Sequence, residues 1–476
     1  MNRKNFALFF ERTAEMMSIW HIFFVCVVMA GLSIIYQRGG VLHPELELRI
    51  PYYLSNRPLL NKLFDSRSVV DSGLYRAREL SYFLDFIDSQ FIALSVRLGH
   101  PHFLSLVHYT FTILIGCILW HFSVRELKLN AWIGLCLVLL FWTSPTIFLS
   151  GAFFRTAKIG VALTTIILYY YIYKIIVADR QNKDYRLIPS HLWICFAVSF
   201  ISTLLDEQGL YTLGMVIAFL LLWITAFSST NLYKLLGAFI SALVLNLIYR
   251  YLFAPYLTFL LNHYWPDFSY EQLPWHKLFS DQGLFYLGAG PILYIDTLRF
   301  LIGNIPETAM ALLLIILVFA GLVSYLKKSG SKKTESKMFG VVLTGLLFTN
   351  IIFIIAMYSL MVLRHPALFF PSVRGSGYYW IPTTAMFSMT LAFLLSRAAN
   401  IQYIPRWAVL TLLTFAILGN IIAIPQHKYF QDGFIQAYPQ YGPNLLEALR
   451  NINNTNYIVG ADIEKTKVYQ FFRNHP

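Results

Sequence analysis

The sequence predicts an all-α polytopic membrane protein with about eleven transmembrane helices and an amphipathic surface helix in its first outer loop. Three observations lead there. Hydrophobic residues make up 57% of the 476 and charged residues only 13%; the mean hydropathy is +0.58; and the apolar residues fall in continuous runs of spanning length. A globular surface of this composition would not stay in water, so lipid is the solvent. A membrane β-barrel needs strict alternation over about ten residues, which these runs lack, so helices remain the way to satisfy the backbone inside the bilayer.

The runs lie near residues 19–36, 103–121, 131–149, 159–177, 191–205, 209–227, 235–253, 306–326, 339–363, 379–396 and 407–424. The first follows a segment without a small-residue cleavage pattern and is expected as a retained anchor. Asn5 to Met17, with Phe6, Phe9 and Phe10 set against Arg12 and Glu15, is expected on the membrane surface. Cys26, Cys117, Cys136 and Cys195 all fall inside runs and read as small buried side chains, not as a disulfide framework.

Orientation follows from where Lys and Arg sit. With a cytoplasmic N-terminus, Arg3, Lys4 and Arg12 lie inside. So do Arg125 with Lys128, Arg180 with Lys183 and Arg186, Lys234, the cluster from Lys327 to Lys337, and Arg397 with Arg406. Short cytoplasmic loops hold such cations, and the reverse orientation would place all of them outside. The formal charge of +13 is thereby assigned to loops, and no nucleic-acid partner is expected. The chain is expected in a bacterial plasma membrane with its C-terminus outside.

This topology divides the chain into a catalytic transmembrane module over 1–255, with a long first outer loop at 37–102; a part over 256–424, with an outer loop at 254–305 and the later helices; and an outer tail over 425–476 that carries the sequon Asn453-Asn454-Thr455. The remaining outer connections are 150–158, a tight turn at Asp206-Glu207, and 364–378.

The first outer loop is the densest in ionisable groups. From Arg78 onward it has a helical period, with Leu80, Phe83, Leu84, Ile87, Phe91, Leu94 and Leu98 on one face and Arg78, Ser81, Asp85 and Asp88 on the other. Such a helix should lie flat on the membrane. Asp85 and Asp88 read either as functional groups or as a solvated face paired with Arg78. Asp71 stands apart in a turn beside Gly73, without a helical-spacing partner, where a carboxylate can serve as a general base. Glu79, at the edge of the polar face, is its substitute.

Arg155 and Lys158 lie three residues apart at the start of a span. They read as snorkelling cations or as a grip on phosphate, and the rarity of cations in short outer loops favours the grip. Asp206 and Glu207 have almost no loop in which to be solvated and form a second acidic candidate site. Arg374, within Arg374-Gly375-Ser376-Gly377, and His365 form a basic segment able to close over an anion; Tyr75, Arg76 and Arg78 are supporting polar groups. No nucleotide-binding Gly-rich loop, zinc-protease helix motif or Gly-x-Ser-x-Gly elbow is present.

With these features in place, the layout resembles the GT-C superfamily of membrane glycosyltransferases over roughly residues 1–255. Asp71-Ser72-Gly73-Leu74-Tyr75 is similar to the Asp-Glu-x-x-Tyr pattern that follows the first span in several such families, with Ser72 in place of Glu. Phe154-Arg155 with Lys158 is similar to their basic second outer loop; Asp206-Glu207 has no assigned counterpart. The resemblance implies a polyprenyl-phosphate-linked sugar as donor, a lipid, protein or glycan as acceptor, and transfer on the outer face. It leaves room for a divalent cation. Direct displacement with inversion is expected, the cations stabilising the departing phosphate and a carboxylate taking the acceptor proton. On that reading Arg155→Ala and Lys158→Ala weaken donor use and leave stability nearly unchanged. A many-helix polysaccharide polymerase or ligase, and a lipid-linked-sugar flippase, are the alternatives.

The orientation is checked by labelling single cysteines with a membrane-impermeant thiol reagent. Cysteines replacing Glu45, Ser280 and Gln440 should react in intact cells, and those replacing Lys183 and Lys332 only after permeabilisation. External labelling at 332 would reverse every assignment of side.

Overall fold

The computed structural model describes residues 17–37, 50, 52–54, 56–65, 74–75, 77–99, 104–153, 156–181, 187–226, 229–268, 381–399 and 406–436. Among these, regular structure is helical apart from two strands of two residues each. In chain order the elements are α1 (Ile19–Gln37), α2 (Leu59–Leu63), β1 (Leu74–Tyr75), α3 (Glu79–Arg97), α4 (Leu106–His121), α5 (Ala131–Thr143), α6 (Pro145–Phe148) and α7 (Thr156–Gln181). They continue as α8 (Pro189–Leu205), α9 (Glu207–Ala226), α10 (Thr230–Ile248), α11 (Ala254–Asn262), β2 (Asp267–Phe268), α12 (Ile381–Ala399) and α13 (Arg406–Gln436). A wide π turn at Phe122–Glu126 extends α4, and another at Tyr249–Phe253 joins α10 to α11.

Six helices among the described residues are long and apolar enough to cross a membrane: Ile19–Gln37, Leu106–Glu126, Thr156–Arg180, Glu207–Thr225, Thr230–Asn262 and Arg406–Pro425. Three expected runs form shorter apolar helices, Ala131–Thr143, Pro189–Leu205 and Ile381–Ser396. The run expected at 131–149 stops early because Pro145 forces Ser144 out of the helical region (φ −53°, ψ 125°) and then opens α6 as its first residue. The outer loop expected from 254 starts later, because α10 runs on through its wide turn to Asn262. The runs at 306–326 and 339–363, and the segment before Met17, lie outside the described residues.

The helices pack as a bundle in which α7 touches α4, α8 and α12, while α1 lies on α4 and α13 on α5. Ile115, Leu119, Ile133, Leu137, Ile159, Ala162, Ile166, Val216, Leu220 and Phe239 form the centre of one continuous apolar core. Outward-facing Trp20, Phe24, Ile35, Trp193, Leu221, Val244, Phe415 and Ile422 are well exposed. Such a perimeter would be costly in water and is what contact with lipid tails requires. Without a hydrophobic drive between helices, polar rungs add to packing. Thr164 Oγ1 donates to Ser202 Oγ (2.9 Å), and Asn246 Nδ2 to Thr203 Oγ1 (2.7 Å).

Connections expected on one side of the membrane are joined to one another. At one end, Gln37 at the close of α1 donates to the Tyr109 hydroxyl (3.0 Å) and the Phe148 carbonyl (3.0 Å). Ser105 N donates to the Gly151 carbonyl (3.0 Å), and Lys428 Nζ to the Tyr36 carbonyl (3.2 Å). Asn262 Nδ2 ties α11 to the α2 segment through the Asn61 and Phe64 carbonyls (3.1 and 3.0 Å), and Leu74 and Tyr75 pair in parallel with Asp267 and Phe268. At the other end, Asp179 Oδ1 accepts from Ser229 Oγ and Asn231 Nδ2, both at 2.7 Å, and Lys174 Nζ lies 3.6 Å from Glu126.

One glycine fixes the closest approach. A Cβ on Gly209 would stand 2.0 Å from the Ser202 carbonyl oxygen and 2.8 Å from the Thr203 nitrogen, so α9 meets the end of α8 backbone to backbone. Gly209→Ala should therefore lower stability by about 1–3 kcal/mol, the usual cost of overpacking. Thermal unfolding of the detergent-purified protein reads this directly, and an unchanged midpoint would mean that the two helices separate freely.

Candidate functional site

The charged groups of three separate connections meet at one end of the bundle. Arg78 is the residue before α3, Lys158 lies in the first turn of α7, and Glu207 opens α9. Asp206 is the single extended residue (φ −162°, ψ 159°) between α8 and α9. Lys158 Nζ donates to Asp206 Oδ1 at 2.6 Å. Arg78 Nη2 stands 3.3 Å from Asp206 Oδ2 and 3.8 Å from Glu207 Oε2. The Gln208 backbone N–H also donates to Asp206 Oδ1 (3.0 Å), so Asp206 is the N-cap of α9. The Lys158 and Asp206 side chains are only 6% and 1% exposed. Burial acts to raise the Asp206 carboxyl, but the Arg78 and Lys158 cations outweigh it and hold the pKa below the usual carboxylate range.

Glu79 extends this cluster. Its carboxylate accepts from the Tyr249 phenol in the wide turn between α10 and α11, so a fourth connection reaches the site. Tyr249 also packs with Phe64 against Ala77 and Ala254. Ala77 adopts the left-handed region (φ 49°) immediately before Arg78. That conformation costs a residue with a Cβ and persists where the surroundings enforce it.

The inward face of α3 is polar. Asp85 Oδ1 accepts from Thr156 Oγ1 (2.6 Å), the residue that opens α7. Asp88 Oδ1 accepts from Val107 N (3.0 Å) and Asp88 Oδ2 from the Ser105 hydroxyl, at the start of α4. Both carboxylates thus sit on helix N-termini, whose unpaired N–H groups favour negative charge. Burial pushes the Asp88 carboxyl up to about 7 even against the Ser105 and Val107 hydrogen bonds.

These contacts correct the sequence expectation for this helix. Ser81, Asp85, Asp88 and Ser89 are buried, whereas Phe83, Phe91, Leu94 and Leu98 are exposed, so the polar face is turned to protein instead of solvent. Arg78 turns to a different connection. It precedes the first helical residue and reaches Asp206 and Glu207, while the two aspartates are met by Thr156, Ser105 and Val107. Lys158 is no snorkelling cation, since it is buried in an ion pair, and its removal is no longer expected to leave stability unchanged. Glu207 and Asp206 are likewise not a solvated turn.

Of the other expected site residues, Tyr75 contributes backbone to the short strand pair. Asp71, Arg76, Arg155, His365 and Arg374 lie outside the described residues. Sequence reasoning missed Tyr249, Thr156 and Ser105, and also Asp65, which accepts from Tyr52 (3.1 Å), Arg57 (3.1 Å) and Tyr264 (2.8 Å) and binds the α2 segment to the end of α11. The readable signal was the helix-opening position of Ser105 and Thr156. For Tyr249 there was none. Among the described residues no group of three or more His, Cys, Asp or Glu side chains is gathered to hold a metal ion.

Breaking a buried ion pair by removing one partner typically costs about 3–5 kcal/mol, because the remaining charge is stranded. Lys158→Ala should show a loss of that order in thermal or denaturant unfolding, and Lys158→Ala combined with Asp206→Ala should lose less than the sum of the two single changes. Strict additivity would mean that the pair contributes nothing. In comparisons with known proteins, the chain matches no family model, no curated protein and no solved structure.

Proposed function

We infer that the protein is a membrane glycosyltransferase that moves a sugar from a polyprenyl-phosphate-linked donor to an acceptor hydroxyl on the non-cytoplasmic face, with inversion. One observation carries this reading: Arg78, Lys158, Asp206 and Glu207, drawn from three connections expected on one side of the membrane, form a single buried cluster at the end of an apolar bundle. A lipid-borne anion handled at the membrane surface needs cations at that depth, held in place by protein. The cluster lies at helix ends and not midway along the spans, which favours surface chemistry over carriage of a substrate through the bundle.

In the proposed step the acceptor oxygen attacks the anomeric carbon while the bond from that carbon to the donor phosphate oxygen breaks. The electron pair leaves with the polyprenyl phosphate, and Arg78, Lys158 and the expected donor-loop cation Arg155 stabilise its charge. Arg374 is the expected cation from the later loop. The acceptor proton passes to a carboxylate. Asp71 is the proposed base, and its pattern ends at Leu74 and Tyr75, which the strand pair sets beside the chain leaving α11. Glu79 is engaged with Tyr249 and buried, which favours a positioning role for it.

The test is Asp71→Asn, purified and assayed with a polyprenyl-phosphate sugar and cell-envelope acceptor. The expected outcome is an intact fold with transfer reduced about 10²–10⁴-fold, the usual loss on removing a general base. Transfer within a few-fold of the parent would remove Asp71 from the mechanism. The same assay on Glu79→Gln would then show whether the base lies there.

A further inference from the structure

We propose that Asp206 is a displaceable counter-anion: its carboxylate occupies, between Lys158 and Arg78, the place taken by the phosphate of an isoprenyl-phosphate lipid, which enters by exchange for it. The proposal rests on the phosphate-handling role inferred above and adds how the cations are kept when no lipid is bound.

The two cations approach opposite oxygens of one carboxylate, Lys158 at Oδ1 and Arg78 at Oδ2. A phosphate offers more terminal oxygens and more charge to the same pair. The two contacts are also unequal. Lys158 makes a close hydrogen bond of 2.6 Å, whereas Asp206 Oδ2 is buried, accepts no hydrogen bond, and faces Arg78 at 3.3 Å through charge alone. On that side no hydrogen bond is lost when the carboxylate turns away.

Displacement leaves Asp206 provided for. Its Oδ1 also accepts from the Gln208 N–H, so a carboxylate that turns off the two cations can keep one oxygen on that N–H at the positive end of α9. Arg78, by contrast, is held by structure that favours its position at a cost: the left-handed Ala77 precedes it. Stability alone does not account for the cluster, since a buried ion pair is often no better than apolar side chains of similar volume. Glu207, 3.8 Å from the same Arg78 nitrogen, is the second carboxylate the entering anion has to outcompete.

The test compares binding of farnesyl phosphate and of uncharged farnesol to the full-length protein in detergent by titration calorimetry. In Asp206→Asn the amide retains the helix cap while the competing charge is gone. Farnesyl phosphate should then bind roughly tenfold or more tightly than to the parent, with farnesol unchanged. If Asp206→Asn does not yield folded protein, Glu207→Gln carries the same test, with a gain of about two- to fivefold. A parent that prefers the phosphate over the alcohol, with no gain in either variant, overturns the exchange and leaves the phosphate reading standing. No preference for the phosphate in the parent or in any variant overturns both.

Discussion

A charge withdrawn from water must be met by another charge or by oriented hydrogen-bond donors, and at the buried cluster the partners come from different connections. Asp206 is the case on which the rest depends. It sits where two helices are joined by a single residue, so no loop exists to carry its carboxylate into solvent. Lys158 and Arg78 therefore have to come to it. Meeting that demand fixes the start of α7 and the start of α3 against the α8 to α9 junction. Gly209 allows that junction to be as tight as it is. The same rule then helps to place α3, because Asp85 and Asp88 are bonded where α7 and α4 begin.

Much of the architecture was legible in the sequence because lipid imposes a simple code. Among the described residues the long apolar runs are helices, and several connections expected to share a side are bonded to each other at the two ends of the bundle. The exception at 131–149 had a visible cause in Pro145. The ionisable residues singled out in the sequence, Arg78, Lys158, Asp206 and Glu207, do come together. Their pairing was not legible, because it spans 48 residues for Lys158 with Asp206 and depends on the packing of whole helices. Local spacing pointed instead to Arg78 with Asp85 and Asp88, whereas Arg78 reaches Asp206 and Glu207.

Three of the four polar residues missed have one thing in common. Thr156, Ser105 and Tyr249, unlike Asp65, carry no formal charge, and each acts by donating to a carboxylate whose charge had already drawn attention. Reading carboxylates without asking which N-terminal helix ends could receive them leaves their partners invisible. Ser105 caps α4 through its hydroxyl as well as binding Asp88, so one side chain serves the helix and the surface element together.

The inverted face of α3 has a practical side. Phe83, Phe91, Leu94 and Leu98 point away from the protein, so what covers them is the surrounding amphiphile, and Glu79 and Arg78 stand at the head of the same helix. Extraction thus acts unevenly on this molecule. A small micelle that still wraps the bundle but fails to reach α3 would strip the element bearing the charged cluster first, and preparations of equal helix content could differ widely in competence. Nanodiscs or long-chain detergents, which keep an apolar layer at that height, are the environment in which the site keeps its shape.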